Sequence, residues 1–371
     1  MLDAFAAAAR RGDRAGVAAS VSDQDPSFAD RVRVLGTNLG ALPLDTLTFS
    51  LQPGAQPLSA ARQQVLGAGA WRQPALVTWQ LRGEPTAAEH TVWLTFVEQD
   101  GAPRLAGTAD APPGAPTPQP IWWTGPVQAR QEGAVTVLTG PGQASEAWLG
   151  RARTAAARVR EQVTAGAAAR WTGELVVEVP ASRRAFEAVL GAAEGSYAQI
   201  AAVTLAEGPA ATDALRIVVN PEVTRTLAPV GVAVVVLHEA VHVATRSADS
   251  PAPTWLVEGL ADYVAVRAHP EVAEGAAEPL LTQVRAGRTP ADLPADEQFR
   301  AGAPDLAASY AAAWLACRRV AEQHGPAGLQ RLYTAADAGT PLDQAVPDVL
   351  GTTVAALTAD WRAYLRRLAG G

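Results

Sequence analysis

In the first part of the chain, apolar and polar residues alternate with a period of two in three short runs. The runs are residues 46–51, 75–81 and 91–97, and they are rich in Thr, Val and aromatic residues. This alternation is typical of half-buried β-strands. Two earlier segments, residues 2–20 and 27–42, have helical periodicity instead. The pattern predicts helices followed by an antiparallel meander, which is an α+β arrangement.

A proline-rich segment follows the third run. Residues 111–120 read APPGAPTPQP, and prolines at this density favour an extended connector because they fix φ and remove backbone donors. We therefore predict an N-terminal domain over residues 1–120 and a second domain over residues 121–371. The order of elements in the first domain resembles the nuclear-transport-factor-2-like (NTF2-like) fold. Trp122 and Trp123 follow the connector, and we predict that they pack the two domains together rather than form a ligand platform.

The second domain is predicted to contain a small mixed sheet followed by a mostly helical half. Short β-branched runs alternate with helical periods at first, and only helical periods remain afterwards. The predicted strands are residues 134–138, 174–179, 198–204 and 215–219, and the predicted helices are residues 145–165, 182–190, 229–245, 254–268, 306–323 and 353–368.

Composition excludes several classes of protein. Of the 371 residues, 48% are hydrophobic and 18% are charged, so packed cores are expected rather than disorder. The net charge of −7 argues against a nucleic-acid partner, because phosphate binding requires a basic face. The longest uninterrupted apolar run, residues 230–237, is too short for a membrane span. Cys317 is the one cysteine, so no intrachain disulfide forms and any metal site must use His and carboxylate ligands.

The start of the chain bears on its location. Residues 1–16, MLDAFAAAARRGDRAG, lack the charged-then-apolar order of a secretory leader and instead predict an amphipathic helix. Either the chain is cytoplasmic or its leader has been removed. We predict an extracytoplasmic or cell-surface location, with the cytoplasm as the alternative.

One motif carries most of the chemical information. The segment VVVLHEAVHVAT places His238 and His242 four residues apart, on one face of a predicted helix. Two imidazoles with this spacing can bind one tetrahedral zinc ion at about 2.1 Å each. Glu239 is adjacent and can reach a metal-bound water without being a ligand. The alternative is a core helix with two buried histidines, but that arrangement leaves costly unsatisfied polar groups.

A second apolar helix supplies two acids. In the segment PTWLVEGLADY, Glu258 and Asp262 are four residues apart and share a face. One of them can complete the metal site. The other can accept a hydrogen bond from the distal N–H of a liganding histidine and so select its tautomer.

HEAVH followed by WLVEGLADY resembles the gluzincin metallopeptidases, particularly the peptidase MA-like domains and the M1 aminopeptidases. The resemblance covers roughly residues 133–368 and implies that Glu258 is the third zinc ligand. It also implies that Asp262 is the partner of His238. Two features depart from the aminopeptidases: only 15 residues lie between His242 and Glu258, and no G-x-M-E-N segment is present. Exopeptidase activity is therefore not implied.

A tyrosine is expected to stabilise the developing oxyanion. Tyr310 lies at the start of a predicted helix and resembles the aminopeptidase tyrosine that donates to the developing oxyanion. Packing at the helix start is the equally weighted alternative. Tyr263 is a rival, but its position on the helix points it away from the ligand face. The other histidines have no acidic or histidine partner at ligand spacing, and we predict no special role for them: His90, His269 and His324.

These features predict a zinc-dependent peptidase that acts on a peptide or protein substrate. In the expected mechanism, Glu239 is the general base for a zinc-activated water, and Tyr310 helps to hold the oxyanion. Residues 197–204 are a candidate sheet edge for binding a peptide, although the same run also suits an interior strand. Two alternatives remain: a cell-envelope scaffold with a weak or inactive zinc site, and a cytoplasmic hydrolase acting on a non-peptide amide.

Overall fold

A computed structural model describes residues 1–112, 117–208, 214–300 and 302–370. These residues form two compact units. The first unit comprises Met1–Leu149 and Val176–Val223, and the second comprises Gly150–Leu175 and Thr224–Gly371. Helices and β-sheets are both present, which confirms the predicted α+β class.

Three helices open the first unit. They are α1 (Leu2–Arg10), α2 (Arg14–Ala19) and α3 (Pro26–Ala41). The sequence predicts one helix over residues 2–20, but the structure breaks it at Gly12, whose φ of 67° is left-handed. Asp13 then starts α2 by accepting a hydrogen bond from the backbone N–H of Gly16 at 2.9 Å. The turn residues therefore override the apolar periodicity.

The first sheet is antiparallel. Its elements are β1 (Leu44–Leu51), β2 (Gln56–Pro57), β3 (Trp71–Leu81), β4 (Ala88–Gln99) and β5 (Ala102–Gly107), with helix α4 (Ala60–Leu66) after β2. The strand order is β1-β3-β4-β5, and β2 pairs with β3. All three predicted strands are present, and the likeness to the NTF2-like fold stays a prediction.

The second sheet is mixed, as predicted. The elements of this region are α5 (Ile121–Thr124), β6 (Gln128–Glu132), β7 (Val135–Thr139), α6 (Ser145–Gln162), β8 (Leu175–Val179), α7 (Arg183–Val189), β9 (Ala202–Ala206), β10 (Leu215–Val219) and α8 (Pro221–Thr224). The strand order is β6-β7-β8-β10-β9, in which β10 is parallel to β8 and antiparallel to β9. Within residues 197–204, only the part from Ala202 onward is strand, and β9 ends the described sheet order. Binding of a peptide at this edge stays a prediction.

Aromatic residues fill the core of the first unit. Trp122 and Trp123 are almost fully buried, and Trp122 packs edge-on against Trp79 with 5.7 Å between ring centroids. Asn38 donates hydrogen bonds to the carbonyl oxygens of Trp122 and Gly125, at 2.8 and 2.7 Å. The packing role predicted for the two tryptophans is confirmed.

A charged cluster is buried in the same unit. The guanidinium of Arg216 donates two hydrogen bonds of 2.9 Å to the carboxylate of Glu84 and one of 3.2 Å to Glu178. It also lies 3.7 Å from the ring centre of Trp79. The sequence shows no acidic partner near His90, but the structure places its Nε2 2.6 Å from a carboxylate oxygen of Glu207. A buried guanidinium such as that of Arg216 requires paired carboxylates of this kind.

The predicted boundary at residue 120 lies inside the first unit. Residues on both sides of it belong to one buried apolar cluster, which extends from Leu2 to Val218. Residues 113–116 of the predicted connector lie outside the described residues. Separate folding of the two predicted domains stays a prediction.

The second unit is mainly helical. Its principal helices are α9 (Pro229–Thr245), α10 (Thr254–Ala268), α11 (Ala273–Arg285), α12 (Leu306–Asp337), α13 (Leu342–Leu350) and α14 (Val354–Gly370). Helix α10 packs against α9 and α12, and α11 packs against α12 and α14. Helix α12 continues past the predicted end at residue 323 through a kink at Gly325, where φ is 72°. Among the described residues, no helix is both long enough and apolar enough to cross a membrane.

Candidate metal centre

Helix α9 carries the HEAVH motif. The helix begins with Pro229 in its first turn, where the missing N–H costs nothing, and it continues through an apolar, mostly buried run. It ends at Arg246, which adopts the left-handed conformation with φ of 53°. His238 and His242 are one turn apart on this helix, with their ring centroids 4.7 Å from each other.

Helix α10 brings the acids to the same place. A close approach to α12 is possible because Gly259 has no side chain: a Cβ there would lie 2.5 Å from the carbonyl oxygen of Ala313 and 2.6 Å from Sγ of Cys317. Cys317 is fully buried at this contact, in keeping with the small apolar role expected of it. Glu258 and Asp262 project from α10 towards the histidines of α9.

Three ligand atoms converge between the two helices. Nε2 of His238 lies 3.0 Å from Nε2 of His242 and 3.1 Å from Oε2 of Glu258, and the third distance of the triangle is 3.4 Å. Ligand atoms that bind a tetrahedral ion at about 2.1 Å are about 3.4 Å from one another. The triangle therefore fits a single small cation with two nitrogen ligands and one oxygen ligand. These three residues form the one group of this kind found among the described parts of the chain.

The far side of each imidazole also has a partner. Nδ1 of His238 lies 2.7 Å from Oδ1 of Asp262, which is the pair implied by the family resemblance. Nδ1 of His242 lies 2.7 Å from Oγ of Ser247, in the short 3₁₀ turn Ser247–Asp249 that follows α9. Sequence reasoning missed Ser247, because nothing in the motif indicates how the chain turns after the helix.

The ionisable groups of the site stabilise one another's charged forms. Burial opposes ionisation of His238, but Asp262 and Glu258 outweigh this effect and raise the pKa of His238 well above its ordinary value. Burial also opposes ionisation of Glu258, and His242 and His238 outweigh it and lower the pKa of Glu258. The carboxylates that favour a proton on His238 also favour a metal cation at the same position, and the cation must displace that proton to bind.

Two further predicted residues lie close to the triangle. The ring of Tyr310 is 6.3 Å from the ring of His238, and Phe299 packs edge-on against it at 5.4 Å. Burial raises the pKa of Tyr310, and the charges of Glu258, Asp262 and Glu239 raise it further. Glu239 is itself buried on α9. The structure thus brings Tyr310 and Glu239 to the neighbourhood of the proposed ligands.

The remaining candidates lie elsewhere. Tyr263 is beside Arg267 on α10, 5.9 Å from ring centre to guanidinium carbon, in agreement with its predicted orientation. His269 lies 3.6 Å from a carboxylate oxygen of Glu271. His324 lies towards the middle of α12, next to the kink.

The comparisons with known proteins agree with a peptidase. Residues 160–278 match the sequence profile of a family described as "BSP: Peptidase of plants and bacteria". The matched segment is less than half of the chain, and it contains every predicted site residue except Tyr310. No curated protein and no solved structure matches the chain. The match supports a peptidase-like domain over these residues.

Proposed function

We propose that the protein is a zinc-dependent peptidase of the gluzincin type, with His238, His242 and Glu258 as zinc ligands. The observation that carries the proposal is the triangle of two imidazole nitrogens and one carboxylate oxygen, with sides of 3.0, 3.1 and 3.4 Å. It lies within the segment that is similar to a peptidase family.

The donor set suits zinc. Imidazole and carboxylate are its common ligands in hydrolases, and three protein ligands leave a position for water. A zinc ion held by these three residues would supply a Lewis acid and would lower the pKa of water at that position towards about 7. Asp262 accepts a hydrogen bond from Nδ1–H of His238 and so keeps the Nε2 lone pair directed at the metal position.

In the proposed mechanism, Glu239 transfers the proton and Tyr310 stabilises the developing negative charge. Glu239 accepts a proton from the attacking water and delivers it to the amide nitrogen as the C–N bond breaks. Hydrolysis is thereby balanced: the carbonyl carbon gains the hydroxyl and the leaving amine gains the proton. The raised pKa of Tyr310 keeps its phenol protonated, so the hydroxyl remains a donor to the developing oxyanion.

The substitution Glu239→Gln tests the proposal. Glutamine retains the size of glutamate and leaves the three proposed ligands in place, but it cannot accept a proton. We expect the variant to hold about one zinc per chain and to cleave peptides about 10²–10⁴-fold more slowly than the wild type. The measurement is cleavage of a mixed peptide library, with the zinc content of each preparation determined alongside.

Glu274→Gln is the matched control, because Glu274 is exposed on α11 of the same unit. It should cleave at the wild-type rate. Full activity in Glu239→Gln would contradict the assignment of the base. A zinc-loaded wild type that cleaves no member of the library would favour the scaffold alternative.

A further inference from the structure

The chain turns sharply directly after the second histidine helix. Arg246 ends α9 with φ of 53° and ψ of 42°, a conformation that non-glycine residues seldom adopt. Because of this turn, Ser247 doubles back towards the helix rather than continuing away from it. Its hydroxyl oxygen lies 2.7 Å from Nδ1 of His242, five residues earlier in the chain.

The direction of this hydrogen bond follows from the geometry on the other side of the ring. Nε2 of His242 is directed at Nε2 of His238 and Oε2 of Glu258, at 3.0 and 3.4 Å. An imidazole nitrogen that binds a cation must offer its lone pair, so in a neutral ring the proton is on Nδ1. Nδ1 therefore donates and the hydroxyl of Ser247 accepts.

We propose that Ser247 is a positioning residue for the metal site. It holds His242 in the Nδ1-protonated tautomer and fixes the rotation of the ring, so that Nε2 remains in the ligand triangle. This inference rests on the proposed function, because it assumes that the triangle binds zinc. It concerns a residue outside the HEAVH and WLVEGLADY segments that carry the family resemblance.

The two histidines thus differ in the chemistry of their partners. His238 has an anionic partner, Asp262, at 2.7 Å, whereas His242 has a neutral hydroxyl at the same distance. Glu239, Glu258 and Asp262 already bring three carboxyl groups to the surroundings of Tyr310. A hydroxyl orients His242 without adding a fourth negative charge, so its contribution is geometric and not a matter of net charge.

The test is zinc affinity of the full-length chain, measured by competition with a chromophoric chelator. We expect Ser247→Ala to weaken zinc binding about 10–100-fold, which is the usual effect of losing the hydrogen-bond partner of a metal-binding histidine. Ser247→Thr keeps the hydroxyl and should bind zinc within a few-fold of the wild type. The visible spectrum of the Co²⁺-substituted protein should change in Ser247→Ala, because one ligand is no longer held in orientation.

Ser250→Ala is the matched control. Ser250 lies in the same loop and its hydroxyl accepts a hydrogen bond from the backbone N–H of Ala252 at 3.2 Å, so the variant disturbs the loop without touching His242. It should retain wild-type affinity. Thermal unfolding of the metal-free proteins checks that Ser247→Ala is folded.

Two results would overturn the inference: wild-type zinc affinity in Ser247→Ala, or an equal loss in Ser250→Ala. The proposed function is tested separately by the wild type and by His242→Ala. If the wild type binds zinc, His242→Ala does not, and Ser247→Ala is normal, only the positioning role fails. If the wild type binds no zinc, the proposed function and this inference both fail.

Discussion

Removing one oxygen atom from Tyr310 separates a catalytic role from a packing role. In Tyr310→Phe the ring that packs against Phe299 is retained and only the hydroxyl is lost. If the hydroxyl stabilises the oxyanion, kcat should fall about 10²–10³-fold with little change in KM, because the interaction is made only in the transition state. Steady-state kinetics on a peptide that the wild type cleaves gives both constants.

Tyr263→Phe is the control for Tyr310→Phe. Tyr263 lies beside Arg267 on the neighbouring helix α10, so its hydroxyl should be dispensable for turnover. An unchanged kcat in Tyr310→Phe would assign that residue to packing alone. A similar fall in both variants would indicate a general disturbance of the helices.

At the scale of single residues, local spacing predicts which side chains meet. His238 and His242 are on one helix, and Glu258 and Asp262 are on the next, so fixed helical spacing brings each pair to one face. Ser247 was not predictable, because its contact depends on the left-handed turn at Arg246 and not on any spacing. The contact between His90 and Glu207 was also missed, since it joins a residue of β4 to the residue that follows β9, far apart in the chain and in different sheets.

The packing of α10 on α12 depends on Gly259. Gly259→Ala would place a methyl group 2.5 Å from the carbonyl oxygen of Ala313, which is backbone and cannot move aside. We expect a loss of about 1–3 kcal/mol in the free energy of unfolding, as for other overpacked cores. Because Glu258 is adjacent on the same helix, zinc affinity should fall as well. Urea unfolding and chelator competition measure the two effects.

Gly275→Ala provides the comparison for Gly259→Ala. Gly275 is inside α11, and a Cβ there meets nothing within 4 Å. Alanine in a helix interior is favoured over glycine by about 0.8–1 kcal/mol, so this variant should be as stable as the wild type or more so. Equal effects from both substitutions would contradict a steric cause.

The free energy of unfolding should depend on pH through Glu178, which lies on β8 of the second sheet. Burial and the charge of Glu207 raise the pKa of Glu178 to about 8, and Arg216 opposes this shift. Between the ordinary pKa of 4.5 and the raised pKa of about 8, the folded state therefore keeps a proton on Glu178 that the unfolded state has released. With respect to this group, stability is highest at low pH and falls as pH rises from 4.5 towards about 8, because only the folded state binds the proton in that range.

Glu178→Gln should remove this part of the pH dependence, because glutamine does not ionise. The measurement is urea unfolding at intervals between pH 5 and about 9. Glu98→Gln on β4 is the control, since Glu98 is exposed and should leave the slope unchanged. A slope in Glu178→Gln equal to that of the wild type would show that another group is responsible.

At the scale of elements, the sequence predicts the bounds of a helix best where an apolar composition and the signals at the helix ends indicate the same residues. The bounds of α9 and α10 match the predictions because both helices are long, apolar and started near a proline. The prediction of one helix over residues 2–20 was wrong, because the left-handed conformation of Gly12 interrupts the helix although the apolar periodicity continues past it. Strand β2, only two residues long, carries too little pattern to be recognised.

At the scale of the whole molecule, the two compact units have other bounds than the predicted domains 1–120 and 121–371, whose separate folding stays a prediction. Composition changes at the proline-rich residues 111–120, but the buried apolar cluster of the first unit includes residues from both sides of that segment. Composition reports where the chain is extended, whereas a compact unit is defined by tertiary contacts between distant residues. The proposed metal ligands all lie in the Thr224–Gly371 part of the second unit, so none of them belongs to the unit that contains the predicted boundary.

A fragment of residues 121–371 therefore has a mixed expected outcome. It retains His238, His242 and Glu258, so it should hold about one zinc per chain if the proposed ligands are right. It also loses Glu84, which accepts both 2.9 Å hydrogen bonds from the buried Arg216. The fragment also loses the apolar residues of segment 1–120 that belong to the buried cluster, so it should unfold at a lower urea concentration than the full chain.

The substitution Glu84→Gln in the full chain measures how much of that loss comes from the ion pair alone. It removes the charge of one of the carboxylates that face Arg216 and leaves the apolar cluster around Trp79 and Trp122 in place. We expect it to be destabilised, but less than the fragment, because the fragment also exposes apolar surface. A fragment as stable as the full chain would support the predicted boundary at residue 120 and would assign the charged cluster no role in stability. A fragment that is unfolded by circular dichroism would show that residues 1–120 are required for the fold of the rest.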